Sequence, residues 1–325
     1  MQKFQSWREF LSTVISDRDE KFRLAQELNI TPLTLTRWIQ GASTPQTQQL
    51  QSLLYALPRY QKALHPLIAK EFEQMDLAVP ELTDQVTDIP SVFYAHVLSG
   101  STALSQPIRF WSLANMVVQQ ALGQFDPLRL GLVIKVVCCM PPSRNGKIHS
   151  LREALGLGTS VLGDSLEHAS ILLGAGSLAS SAVASHQSVV IDWLADYNLF
   201  PAQERASDEM SAAAHPIERG TRVAGCLFMA STQEGYFTPT RLSLLHRYAD
   251  LLAPIFDSQD FYDAQAFDLR PMPPTQDQLR HLTSFRPRLA EAMVEAAKGS
   301  QPVDTSRVEL QVWQQFEALF LDLLA

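Results

Sequence analysis

The sequence predicts a multidomain chain of α and α/β class: a small all-α domain, then an antiparallel sheet flanked by helices, then C-terminal helices. Three observations predict it. Residues 1–75 repeat apolar side chains at three- and four-residue spacing, the period of an amphipathic helix. Residues 130–231 hold strand-like runs bounded by turn residues. Residues 284–325 return to helical spacing, and proline-bearing stretches within 76–105 and 257–276 set the regions apart. A chain of 325 residues has room for two or three domains. The expected division is 1–75, a linker over 76–105, 106–258, and a linker with a helical tail over 259–325.

The first region reads as five short helices. Phe4, Trp7, Leu11 and Val14 share one face of the first, and Phe22, Leu24, Ala25 and Leu28 point inward from the second. Thr31 is a good N-cap and Pro32 fits a first helical turn, so a third helix runs from Pro32 to Gln40 and stops at Gly41. The stretch "TPQTQQLQSLLYALP" restarts helix at Thr44–Pro45, and "RYQKALHPLIAKEFEQM" gives a fifth. On the third helix Leu35, Trp38 and Ile39 form the inward stripe. A helix made only to pack would not need Thr34, Thr36, Arg37 and Gln40 outside it.

In the central region "FWSLANMVVQQALGQF" is amphipathic helix and "RLGLVIKVVCCM" is a continuous β-rich run, as in a buried strand. "PPSRNG" is turn chemistry and "KIHSLRE" alternates like a hairpin partner. "GAGSLASSAVASHQ" is a helix opened by glycines, and "SVVID" is a short strand. "MSAAAHPIE" and "TRVAGCLFMAS" pair across Arg219–Gly220, and Thr238 before Pro239 caps a long closing helix. These elements give an antiparallel sheet with helices on one side.

The tail is helical. Ser306 and Glu309 have the spacing of a capping box. Val308, Val312, Phe316, Leu319, Phe320, Leu323 and Leu324 form an apolar stripe that needs a partner, either its own central domain or a second chain.

Composition bounds the function. Hydrophobic content of 46 % and charged content of 18 % describe a globular protein. No apolar run approaches the roughly 18 residues that span a bilayer, and no signal segment follows Met1, so a cytoplasmic protein without a membrane partner is expected. Three cysteines are too few for a disulfide scaffold, and neither they nor the scattered histidines have metal-ligand spacing, so no metal site is expected. The net charge is −8, but residues 1–60 hold seven Lys/Arg against five Asp/Glu, a net of +2. A slightly basic head on an acidic body suggests that the head alone approaches phosphate.

Residues 20–57 resemble the lambda-repressor-like, or XRE-family, helix-turn-helix domain. The likeness is carried by "LAQELNITPLTLTRWIQG" followed by "STP", with Leu24 and Ala25 as packing pair, Asn29 at the turn, and Trp38, Gly41 and Pro45 in rhythm. Ile39 and Gln40 depart from the Glu usual in that family near this position. The resemblance implies a transcriptional regulator that binds double-stranded DNA and works as a homodimer. A recognition helix presents its N-terminal side chains to base edges, which nominates Pro32, Leu33, Thr36 and Arg37. Lys21, Thr31, Gln40 and Thr44 are placed for phosphates. The alternative is a helical hairpin used only for packing.

Residues 106–258 resemble a GAF domain, through the helix and strand ending in Asp192, the hairpin through Arg219–Gly220, and the "GYFT" turn before the closing helix. GAF domains bind small molecules in a cleft or serve as dimerisation platforms. The signature Asn-Lys-x-Phe-Asp-Glu of cyclic-nucleotide binding is absent, and no cysteine stands where a bilin-type chromophore would attach, so the cofactor stays unknown. His149, Arg152, Trp193 and His215 are candidates to line a pocket, each with an equally good structural role. The whole reads as a regulator with no catalytic residues, hence no enzyme. The alternatives are a thiol redox enzyme, since some GAF-like domains reduce methionine sulfoxide with paired cysteines, and a scaffold with an empty cleft. Cys138, Cys139 and Cys226 sit in strands, where a cysteine usually acts as a small buried hydrophobe.

Overall fold

The computed structural model describes residues 6–15, 18–28, 30–57, 61–72, 88–127, 129–159, 170–192, 209–298 and 304–324. Asn29, Phe4 and Trp193 therefore lie outside the described residues. The chain divides into two units, Met1–Gln85 and Val86–Ala325.

The first unit is five helices: α1 (Trp7–Val14), α2 (Arg18–Glu27), α3 (Pro32–Ile39), α4 (Thr47–Ala56) and α5 (Gln61–Glu71). Local chemistry sets their ends. Ser6 caps α1 by accepting from the Glu9 amide at 3.2 Å, and Thr31 caps α3 by accepting from the Thr34 amide at 3.3 Å. Gly41 has φ +70°, the left-handed turn expected after α3. Trp7, Leu11, Leu24, Leu35, Trp38, Leu50, Leu53 and Leu64 are fully or almost fully buried in one core. Phe22 departs from expectation, being 53 % exposed. The Trp7 indole donates to Glu71 Oε2 at 2.7 Å, which ties the first helix to the last.

The second unit opens with α6 (Ser91–Ala103) and α7 (Gln106–Phe125). Residues 91–103, expected as linker, are thus a helix, and Val97 packs into this unit's core. Six strands follow: β1 (Leu132–Cys139), β2 (Leu151–Gly158), β3 (Leu172–Leu173), β4 (Val189–Ile191), β5 (Ser211–Arg219) and β6 (Arg222–Ser231). Their order is β3-β2-β1-β6-β5-β4, with every pairing antiparallel. Alternation along β1 sends Leu132, Ile134 and Val136 to one face and Val137 and Cys139 to the other.

Helices cover both faces, not one. On the first face lie α6, α7 and α9 (Pro239–Leu252), the last capped by Thr238 as expected. On the second lies α8 (Leu178–Ser185), whose Leu178, Ala182 and Val183 pack against Val137, Ala214 and Cys226. An all-small and apolar helix such as "LASSAVAS" leaves little periodicity from which to read that placement. Strand β3 lay hidden inside the same glycine-opened stretch. The partner of β1 begins at Leu151 rather than Lys147, because Ile148 is bridged to Phe267 instead.

Residues past α9 belong to the same unit. Tyr262 pairs with Val223, the Ile148 amide donates to Ala266 O, the Arg270 amide donates to His149 O, and the Ala175 amide donates to Arg270 O. This strap crosses the strand ends so closely that a Cβ at Gly174 would stand 2.4 Å from Arg270 O. Three helices end the chain: α10 (Thr275–Leu282), α11 (Phe285–Ala297) and α12 (Thr305–Leu323). The cap of α12 is Asp304, whose carboxylate accepts from the Ser306 and Arg307 amides at 3.1 and 3.2 Å. It displaces the expected Ser306 box because an anion at a helix N-terminus also meets the helix dipole. Val308, Val312, Phe316 and Phe320 are buried with Met140 and Leu172, so the tail's stripe is largely satisfied within the chain. Leu323 and Leu324 stay half exposed.

At the sheet edge Gln278 closes β3. Its amide oxygen accepts from the Leu172 amide at 2.8 Å, and its nitrogen donates to Leu172 O at 2.8 Å and to Pro273 O at 2.9 Å. No helix among the described residues is long and apolar enough to cross a membrane.

Candidate functional site

In the first unit, burial of Leu35 and Trp38 fixes which side of α3 faces outward. Leu33, Arg37 and Gln40 lie on that side at spacings of four and three, all exposed, with Thr44 exposed just beyond. Leu33 is 59 % exposed, a large apolar side chain held in water at the start of a helix. Thr31 is exposed, but its hydroxyl serves the helix cap and also meets the Thr34 hydroxyl at 2.9 Å. Pro32 and Thr36 are half-buried. The Thr36 hydroxyl donates to Pro32 O at 3.1 Å and accepts from Lys21 Nζ at 2.8 Å. That contact brings the Lys21 ammonium from α2 onto the flank of α3. The structure thus gathers the nominated residues around one helix, with Arg37 and Lys21 as its cations.

The pocket candidates of the second unit are not gathered. His149 is buried before β2, with Nδ1 at 2.9 Å from Asp268 O and Nε2 at 3.2 Å from Asn145 Nδ2. Arg152 on β2 lies 3.3 Å from Glu309 and sits over the Trp313 ring of α12 at 5.6 Å. His215 is on β5, separated from β2 by β1 and β6. Its ring stacks on that of His246 from α9 at 4.2 Å, and Nδ1 meets the Ser188 hydroxyl at 2.5 Å. Burial, and then the neighbouring His246, lower the His215 pKa to about 4. Trp193 lies outside the described residues.

Sequence reading missed the polar group beside Arg152. The Ser150 hydroxyl donates to Glu317 Oε1 at 2.5 Å, with both residues buried. Burial raises the Glu317 pKa against the opposing pull of the Ser150 bond. A separation of 167 positions leaves no local signal for that pair.

The cysteines occupy adjacent central strands. Cys139 and Cys226 share the face under α8, and Cys138 packs toward the other. Burial pushes the Cys138 thiol up to about 12 and the other two well above the ordinary range. A thiol must ionise to attack, so all three are poor nucleophiles in the folded chain at neutral pH.

Residues 112–257 match the model of the GAF domain family. Among solved structures the chain is similar to the type II free methionine-R-sulfoxide reductase of Thermoplasma acidophilum, at 20 % identity and TM-score 0.35, over 46 % of this chain and 94 % of that one. It is also similar to the GAF domain of an Acinetobacter phosphoenolpyruvate-protein phosphotransferase, at 14 % and 0.36, over 51 % and 93 %. A third likeness is to the free methionine-R-sulfoxide reductase of Neisseria meningitidis, at 16 % and 0.36, over 54 % and 96 %. No curated protein matches the chain significantly. The expectation that the chain is no enzyme is corrected here: structures with this type of domain include reductases, so possession of it gives no ground for excluding catalysis. Six antiparallel strands with helices on both faces, and the family match over the same residues, make residues 112–257 a GAF domain.

Proposed function

We propose that the chain is a DNA-binding transcriptional regulator in which the first unit reads double-stranded DNA through α3, and the GAF domain senses a small molecule or holds two chains together. One observation carries it. Leu33, Arg37 and Gln40 form an exposed stripe on a helix whose opposite stripe is fully buried. An arginine pairs with guanine through two hydrogen bonds, and an exposed leucine offers an apolar contact for the methyl of thymine. Lys21 adds a cation for the phosphate backbone.

Selection of bound sequences from random DNA, followed by titration of the best site, tests the reading. Arg37→Ala should fold as the parent does and weaken that site by about 1–3 kcal/mol, with specificity relaxed at one base. Uniform weakening across sequences with a smaller salt dependence would assign Arg37 to phosphate instead. Unchanged affinity for every sequence would remove α3 from the interface.

A second reading, thiol redox chemistry in the GAF domain, starts from Cys139 and Cys226 on one face of neighbouring strands. It requires one of them to ionise despite burial. Stopped-flow reaction of the folded chain with a thiol reagent decides it, since a fast, low-pH phase is what that chemistry needs.

A further inference from the structure

Between Asp88 and Asp126 the sole Lys, Arg, Asp or Glu is Arg109, in a chain that is 18 % charged overall. The segment is α6 and α7, and the two helices form one tightly packed pair. A Cβ at Gly100 would stand 2.7 Å from the Leu113 side chain. Arg109 is spent internally, pairing with Asp257 and donating to Ser101 O at 3.3 Å. Its charge therefore does not mark the outer surface.

The outer surface is apolar as well as uncharged. Val97 of α6 is buried, and Phe93 and Tyr94 pack against the core, yet Val92 and Leu98 on the same helix are 66 % and 51 % exposed. On α7, Ile108 and Trp111 are exposed too. A helix that is apolar around its whole circumference belongs in an interior, and α6 has only one side covered in the described residues. Aromatic and aliphatic side chains without charges are also the composition of an interface centre.

Charge selects the occupant. Across a two-fold axis a surface meets itself, so every charge on it confronts its own copy. A chain of net charge −8 repels a second copy almost everywhere except on this uncharged pair of helices. A basic partner would be recognised by carboxylates, and an acidic one by exposed Lys or Arg; neither is present here.

We infer that the outer face of α6 and α7, centred on Leu98 and Trp111, is the surface on which two copies of the chain associate. This deepens the proposed function by naming the GAF unit's partner as a second copy, and it moves the pairing surface away from α12. Two copies joined here would present two α3 helices, as a palindromic site requires.

Sedimentation equilibrium of the full chain tests it. The parent should show a dimer mass. Leu98→Glu and Trp111→Glu each place a carboxylate opposite its own copy, and each should raise the dimer dissociation constant at least tenfold with an unchanged circular dichroism spectrum. Val294→Glu, at an equally exposed apolar position on α11, should leave the dimer intact. If either glutamate variant fails to fold, Ile108→Ser gives the same reading with a milder change. A parent that is monomeric at every concentration overturns the inference, and so does a dimer equally tight in all variants. Arg37→Ala should keep the dimer mass whatever it does to DNA binding, so a failure of the DNA reading is told apart from a failure of this surface.

Discussion

The Ser150 hydroxyl and the Glu317 carboxylate meet at 2.5 Å beneath α12, joining the start of β2 to the last helix of the chain. A hydrogen bond to a buried carboxyl group is worth more than a neutral one, and its loss leaves an acceptor without water. Ser150→Ala should destabilise the second unit by about 1–3 kcal/mol, read as a lower urea midpoint with an unchanged slope.

Glu317 also makes that unit pH-sensitive. Its folded pKa is raised above the ordinary 4.5, so the folded chain keeps this proton to higher pH than the unfolded chain does. The stabilisation is full below 4.5 and is lost as pH rises through the folded value. Glu317→Gln keeps an oxygen to accept from Ser150 and removes the titration. The variant should match the parent in acid and exceed it at neutral pH in thermal melting.

His215 titrates in the opposite sense. Its folded pKa lies at about 4 against an ordinary 6.5, so the unfolded chain binds the extra proton first. Stability from this group is full above 6.5 and is lost as pH falls through 4. The nearby charges are few: His246 stacks on it, and Asp250 sits 3.4 Å from His246 on the same helix. His215→Gln should flatten the melting temperature of the second unit between those two values, while leaving the first unit's melt alone.

Trp38 fills the centre of the first unit at 1 % exposure. Trp38→Ala should cost that unit roughly 3–5 kcal/mol. Amide exchange should show it opening while strands β1 and β6 keep their protection.

What the sequence disclosed follows from how local each signal is. Thr31, Pro32 and Gly41 bound α3 through contacts within four residues, so α3 was legible. The same holds for Thr238 before α9. The hairpin of β5 and β6 was legible because Gly220 turns it in place. Asp304 was overlooked because the Ser306–Glu309 spacing is the more familiar pattern, although a carboxylate two residues earlier reaches the same amides. The strap over 260–274 and the placement of His149 and Arg152 against it depend on partners more than 100 positions away. The three histidine and arginine candidates were drawn together by residue type alone. Sheet order sets β5 two strands beyond β2's neighbour β1, and so keeps them apart.

Gln278 gives the sheet an ending. A bare edge strand offers its amides to any passing extended segment, and a side chain that satisfies both groups of Leu172 withdraws that offer. The family match stops at residue 257, twenty-one positions short of this glutamine. A fragment trimmed to 112–257 would retain all six strands but carry β3 open along its free side. Such a fragment should be sticky in solution, and a useful excised domain must run through α12.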